Sequence, residues 1–297
     1  MSKKNIIVVT GGAGFVGTNV IKLFLKKTKY KILSIDNYSS GLKINHIKNT
    51  KVKYIKGNTK NISTLLNSKK NKINAIFHFG EFSRIYQSFL KMGECIDSNT
   101  VGSHAVFNFC LNNKIKLIYS ATSASLGNKG RDKDLSPYAF TKSINLELLE
   151  NLKKWFKMKY EIIYFYNVYG PKQISIGNMA TVIGIFENAY KNKKPLPVVR
   201  PGTQSRKFTH ISDTVKVCYD AWKKNKCRHY SISSKKDYSI LEVAKLFGSK
   251  INLLPARGGE RYASALTNMN LSNKVYKNFG RIRLKTYIEK FKNRHKK

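Results

Sequence analysis

Ile6-Ile-Val-Val-Thr-Gly-Gly-Ala-Gly-Phe-Val-Gly17 decides the fold. Its first four residues form an apolar run of strand length, the glycines read as a tight turn, and Thr18–Lys27 continues as an amphipathic helix. The glycines fit Gly12-x-Gly14-x-x-Gly17 and Gly11-x-x-Gly14-x-x-Gly17 equally well. Under either reading they let the backbone turn sharply and approach a pyrophosphate, which then rests on the N-terminus of the helix. Gly11, Gly14, Phe15, Val16 and Gly17 are therefore candidate cofactor contacts. Asp36 ends the next apolar run, Lys31–Ile35, near the ~20-residue offset expected of a ribose-binding acid. A carboxylate there accepts hydrogen bonds from ribose hydroxyls and repels a 2′-phosphate, which favours NAD over NADP.

Working outward, short apolar runs alternate with amphipathic stretches, as a parallel sheet with crossover helices requires. Ile6–Val9, Lys31–Ile35, Val52–Ile55, Ala75–Phe79, Lys116–Tyr119 and Glu161–Phe165 are expected strands. Thr18–Lys27, Ile62–Ser68, Asn99–Asn112, Tyr138–Met158 and Met179–Lys191 are expected helices. The expected fold is α/β: a Rossmann-like doubly wound parallel sheet with a smaller C-terminal α/β substrate-binding lobe. Residues 1–170 would form the first domain and 171–297 the lobe, with a segment near 203–225 able to return to the first domain.

Composition limits the function classes. The 297 residues are 41% hydrophobic and 12% aromatic, which suits a folded chain and not a disordered one. No apolar run approaches the ~20 residues that cross a bilayer, and Ile6–Val9 is too short for a signal-peptide core. Cys95, Cys110, Cys218 and Cys227 form no C-x-x-C pair. A cytoplasmic, reduced protein with no membrane partner is expected. The net charge of +40 invites a nucleic-acid reading, but the lysines are spread along the chain and no zinc-ligand spacing or aromatic RNA-binding signature accompanies them. A positive field that speeds arrival of a dianionic substrate fits better. No metal-ligand cluster stands out, and acids number only 16.

Ser136-Pro-Tyr-Ala-Phe-Thr-Lys142 supplies a base. Tyr138 and Lys142, four apart, share one face of a helix. A cation beside a phenol favours the phenolate, which suits general-base work.

In this order and spacing, Thr10–Gly17, Asp36-Asn37, His78-Phe-Gly80, Asn99, Ser120-Ala-Thr122, Tyr138–Lys142, Tyr166-Asn-Val-Tyr-Gly-Pro171 and Gly202-Thr-Gln-Ser-Arg206 resemble the extended short-chain dehydrogenase/reductases. Within them the chain resembles the nucleotide-sugar epimerases related to UDP-glucose 4-epimerase. The resemblance implies Tyr138 as catalytic base, Lys142 on the nicotinamide ribose, and Thr122 sharing a hydrogen bond with the sugar hydroxyl. It implies Asn37, Asn58, Thr59, Phe79, Gly80, Asn99 and Tyr166 as further cofactor contacts, with Asn99 anchoring a loop near the nicotinamide. Asn167, Arg206 and Arg257 would meet the diphosphate of a nucleotide-sugar substrate, arginine offering bidentate, charge-assisted geometry. It also implies a homodimer through a bundle that includes the Tyr138 helix.

Departures from the family pattern narrow the reaction. Asn58 and Lys207 stand where aspartates are usual, Leu126 replaces a tyrosine, and Gly80-Glu-Phe-Ser-Arg84 is not the usual small-residue loop. Dehydratases of the family carry an Asp-Glu pair directly after the Ser/Thr; here Ser123 and Ala124 stand there. Without accessory acid and base the expected reaction is epimerisation through a 4-keto intermediate. The alternatives are a 4-keto-sugar reductase, a dehydratase and, outside enzymes, an RNA-binding protein using its basic surface.

Overall fold

The structure is a computed structural model, and it describes residues 4–123, 133–257 and 275–295. Ala124 and Leu126 lie outside these, so the readings placed on them have no structural counterpart here.

Six strands carry the first half of the chain: β1 (Ile6–Thr10), β2 (Lys31–Asp36), β3 (Val52–Lys56), β4 (Ile73–His78), β5 (Lys116–Thr122) and β6 (Tyr160–Phe165). They join His229–Ser233 and Val275–Phe279 in one eight-stranded sheet. Its order is Val275–Phe279, His229–Ser233, β6, β5, β4, β1, β2, β3, with every pairing parallel. Successive residues face opposite sides, and both sides are covered. Ile6 and Val8 pack with Val106, Phe107 and Leu149, whereas Ile7 and Val9 pack with Val20, Phe24, Val215 and Cys218. This double burial is why the strands read as unbroken apolar runs.

After residue 171 the chain does not stay in a separate lobe. Helix Ile211–Lys224 packs against helix α1 (Phe15–Lys27), and both later strands extend the large sheet. A boundary at 170 therefore does not divide the sheet, because His229–Ser233 pairs directly with β6. A third core forms around Phe186, Leu196, Phe208, Phe247 and Ile288, and it holds the smaller lobe.

Two of the differences from the expected elements bear on the site. Phe79 lies beyond β4, which ends at His78. Asn99 lies not in a regular α-helix but in a π-helical turn, Asp97–Gly102, that runs into Ser103–Asn112. Such turns displace side chains from the ordinary helical register, often at functional sites. Helices Ile85–Leu90 and Met92–Ile96, which periodicity did not mark, lie just before it.

Candidate active site

The order of strands reverses between β1 and β4, and there a cleft of about 530 Å³ opens at the carboxyl ends of the strands. Ligands of open α/β sheets bind at this kind of position. Gly11 enters it with φ +68°, and a Cβ on Gly11 would stand 2.8 Å from the Phe79 carbonyl. A Cβ on Gly17 would stand 2.2 Å from the Gly11 oxygen. The turn thus admits only glycine at both places, and α1 begins at Gly14 with no side chain capping it. Its N-terminus faces the cleft as an anion site. Asp36, at the end of β2, accepts the N–H of Ala13 at 2.9 Å and that of Tyr38 at 2.8 Å. Burial pushes its carboxyl up, and these two N–H groups oppose the shift. A glycine cradle, an open helix N-terminus and an acid at the strand end fit a dinucleotide.

The Tyr138 helix, Pro137–Phe156, starts as its sequence dictates: Ser136 accepts the N–H of Ala139 at 3.1 Å, and Pro137 occupies the first turn. The Tyr138 N–H donates to Ser88 Oγ at 3.2 Å, tying this helix to Ile85–Leu90. One turn later Lys142 is 3% exposed. Its ammonium donates to the Glu81 carboxylate, to the Ser120 carbonyl at 2.6 Å and toward the Tyr119 hydroxyl at 3.4 Å. The pair therefore shares a face, but the ammonium turns inward while the phenol borders the cleft.

Glu81 gathers three more donors on Oε1: Ser103 Oγ at 2.8 Å, Tyr119 at 2.9 Å and Asn145 Nδ2 at 3.3 Å. Since the Ser103 proton goes to Glu81, the imidazole of His78 must donate through Nε2 to Ser103 Oγ, 3.0 Å away. Nδ1 then accepts from Thr10 Oγ1 at 2.7 Å, and Thr10 Oγ1 in turn accepts the N–H groups of Phe79 and Gly80. Burial pushes the His78 imidazole down to about 4, so it stays neutral. Burial and the Glu81 carboxylate together hold the Tyr119 phenol far above its usual range, as befits a donor.

Asn99 is fully buried behind the cleft. Its Oδ1 accepts the Phe82 N–H at 2.7 Å and its Nδ2 donates to the Phe82 carbonyl at 3.1 Å, clasping the loop after β4. Asn58 and Thr59 do not line the cleft; Asn58 caps its own turn by accepting the Lys60 N–H at 3.1 Å. The other expected site residues do line it: the glycine turn, Asp36, Asn37, Phe79, Gly80, Thr122, Tyr138, Lys142, Tyr166, Asn167, Arg206 and Arg257. Arg206 is set by the pairing of Ser205–Lys207 with Asp237–Ser239, and the Arg257 guanidinium lies 5.2 Å over the Tyr86 ring.

Glu81 and Arg84 were not singled out as site residues by sequence, although both stand in the loop that departs from the small-residue pattern. Arg84 donates through Nε and Nη2 to the Met179 carbonyl at 3.0 and 2.5 Å, joining this loop to the lobe. Burial lowers the affinity of its guanidinium for the proton, and Tyr138 acts in the opposite sense.

The sequence model of the NAD dependent epimerase/dehydratase family matches residues 7–233. The chain belongs to that family. NAD is therefore the cofactor. The chain is 29% identical over 255 residues to an ADP-L-glycero-D-manno-heptose-6-epimerase of Brachyspira hyodysenteriae, covering 81% of this chain and 79% of the relative. It is 27% identical over 266 residues to a dTDP-D-glucose 4,6-dehydratase of Dictyostelium discoideum, covering 80% of this chain and 60% of that longer relative. Among solved structures, a UDP-N-acetylglucosamine 4-epimerase from Methanobrevibacter ruminantium M1, in complex with UDP-N-acetylmuramic acid, superposes with a TM-score of 0.79. It is 25% identical, and the match covers 92% of each chain. Among the described residues no helix is long and apolar enough to cross a membrane, and no group of His, Cys, Asp and Glu is placed to hold a metal ion.

Proposed function

We propose that this chain inverts C4 of a nucleotide-diphosphate sugar, with Tyr138 as the base. The observation that carries the reading is one cleft lined by the glycine turn, Asp36, Thr122, Tyr138 and Lys142, whose buried carboxylate, Glu81, is already engaged by four protein donors. Dehydration needs an acid and a base free to move protons on the sugar. Glu81 is not free to do so, and Ser123 stands where the dehydratases carry an acid.

Bound NAD supplies a hydride acceptor and, after the sugar turns over, a hydride donor. The protein's share is proton transfer and placement. Tyr138 takes the C4 hydroxyl proton and returns it to the new hydroxyl, and Thr122 holds that oxygen by a shared hydrogen bond. Asn99 keeps the Phe79–Phe82 loop in place beside the reacting centre. Asn167, Arg206 and Arg257 hold the diphosphate, so the smaller lobe is the substrate-binding part. A 4-keto intermediate with no accessory acid or base can only take hydride back, on either face.

The exposed apolar surface supports a homodimer. Phe140 and Ile144, one turn apart, and Met92 and Ile96 on the helix packed against theirs are 38–55% exposed. Four such side chains on adjoining helices suit a symmetric bundle.

The test is incubation with a panel of nucleotide sugars without added cofactor, followed by NMR at C4. Inversion with no accumulation of reduced cofactor supports the reading. Turnover that consumes NADPH would make the protein a keto-sugar reductase instead.

A further inference from the structure

The loop after β4 ends in a cation to which the described residues give no counter-charge. Arg84 is partly buried and lines the cleft. Its Nε and Nη2 donate to the Met179 carbonyl, and its Nη1 donates to the Ser83 carbonyl at 2.9 Å. A guanidinium has five N–H groups. Three are spent here on neutral carbonyls, and among the described residues the remaining N–H on each terminal nitrogen meets no acceptor. No carboxylate among those residues pairs with Arg84. Glu81, in the same loop, turns its oxygens to Lys142, Ser103, Tyr119 and Asn145 instead. A cation drawn partly out of water without an anion is costly to hold, and a ligand that brings the anion removes that cost.

Two contacts locate that anion. The guanidinium is anchored on Met179, in the segment of the lobe whose Asn178 and Ala180 line the cleft, and not on the glycine turn or the strand end bearing Asp36. Its backbone is joined to that of Tyr138 through one residue: the Ser88 N–H donates to the Arg84 carbonyl at 3.1 Å, and Ser88 Oγ accepts the Tyr138 N–H at 3.2 Å. Tyr138 is also the titratable group whose charge reaches Arg84. Resting on the reading of Tyr138 as the base at C4, we propose that the sugar carries a carboxylate on a carbon beside C4, as a hexuronic acid does at C5, and that Arg84 receives it. One N–H on each terminal nitrogen of a planar fork matches the two oxygens of a carboxylate. The diphosphate is left to Arg206 and Arg257, so the charge that Arg84 binds is the sugar's own. A neutral hexose places a hydroxymethyl group there and leaves the cation unpaired, which makes Arg84 the residue that selects acidic sugars.

The test uses the purified protein with its own bound cofactor and matched pairs of nucleotide sugars. UDP-glucose is paired with UDP-glucuronic acid, and dTDP-glucose with dTDP-glucuronic acid, so that only the C5 substituent differs. UDP-N-acetylglucosamine paired with UDP-N-acetylmuramic acid tests a carboxylate carried on C3. Within each pair, kcat/KM for inversion at C4 is compared. The parent is expected to favour the acidic member of one pair by about 10- to 100-fold, the scale of hydrogen bonds to a charged group. Arg84→Gln is expected to bring that ratio close to one, and Arg84→Lys, which keeps the charge but not the fork, to keep part of it. If the parent turns over the acidic member no better than the neutral one in every pair, the inference is overturned without recourse to a variant. It is also overturned if Arg84→Gln slows both members equally, which assigns Arg84 to Tyr138, or if it weakens NAD binding by the same factor, which assigns Arg84 to the cofactor. All of these results leave C4 inversion standing; no inversion in any pair removes the catalytic reading itself and the inference with it.

Discussion

Asp36 accepts the N–H of Ala13 at 2.9 Å, so the acid that ends β2 also braces the glycine turn that follows β1. The carboxylate proposed to select the cofactor and the turn proposed to cradle its pyrophosphate are therefore one mechanical unit. Gly41 lies over the same carboxylate, where a Cβ would stand 2.7 Å from both of its oxygens.

Asp36→Asn removes the charge from that unit while keeping its shape. The loss of charge-assisted bonds to ribose should weaken NAD binding by about 10- to 100-fold. It should also narrow the preference over NADP, since the repulsion of a 2′-phosphate goes with the charge. Calorimetric titration of cofactor-free protein with both nucleotides checks this; unchanged affinities would remove Asp36 from the site.

Tyr138→Phe deletes one hydroxyl at the cleft and leaves the Ser136 cap and the Ser88 bond to its backbone untouched. Turnover should fall by about 10²- to 10⁴-fold, the usual contribution of a positioned base. The thermal midpoint and NAD affinity should stay close to those of the parent. Steady-state kinetics together with a melting curve separate this outcome from a folding defect.

His78 gives the fold a pH dependence with a definite sign. Burial holds its imidazole down at about 4, whereas in the unfolded chain it titrates at 6.5. Between these values the unfolded state binds more protons, so stability rises with pH there. The contribution, on the order of 3 kcal/mol, is present above 6.5 and is lost as pH falls toward 4. Denaturant unfolding at several pH values should show a smaller slope for His78→Gln than for the parent across this window.

Lys116 and Glu161 form a second buried ion pair, 2.9 Å apart, with Glu161 fully buried. Glu161 also accepts the N–H groups of Cys227 and Arg228, which fixes the entry to strand His229–Ser233. Lys116 stands at the start of β5, at the opposite end of the strand from Thr122. Lys116→Met should therefore cost about 3–5 kcal/mol of stability by leaving a buried carboxylate without its cation. Turnover at a temperature where the variant stays folded should not change.

How much of this was legible in the sequence depended on whether the signal was local. The strand–glycine–helix unit at Ile6–Gly17 and the capped start at Ser136-Pro137 are dictated by residues next to one another, and both elements stand where they were expected. The two sheet strands after residue 226 are not of this kind. His229–Ser233 is selected by pairing with β6, some 65 residues earlier in the chain, and nothing in its own composition announces that partner. Glu81 shows the same limit at the site. The sequence marks it as a departure from a small-residue loop, but only the fold brings Lys142, Ser103, Tyr119 and Asn145 around it. The inward turn of Lys142 follows from that carboxylate, so the spacing of Tyr138 and Lys142 described their shared face and not where the ammonium points.

The account rests on hydride leaving C4 and returning to the same carbon. The most direct test supplies a nucleotide sugar deuterated at C4 to the purified protein with its own bound cofactor and follows the product by NMR and mass spectrometry. The account predicts inverted configuration at C4 with the deuterium retained there. Inversion with loss of the label to solvent, or no inversion in any nucleotide sugar supplied, would contradict it.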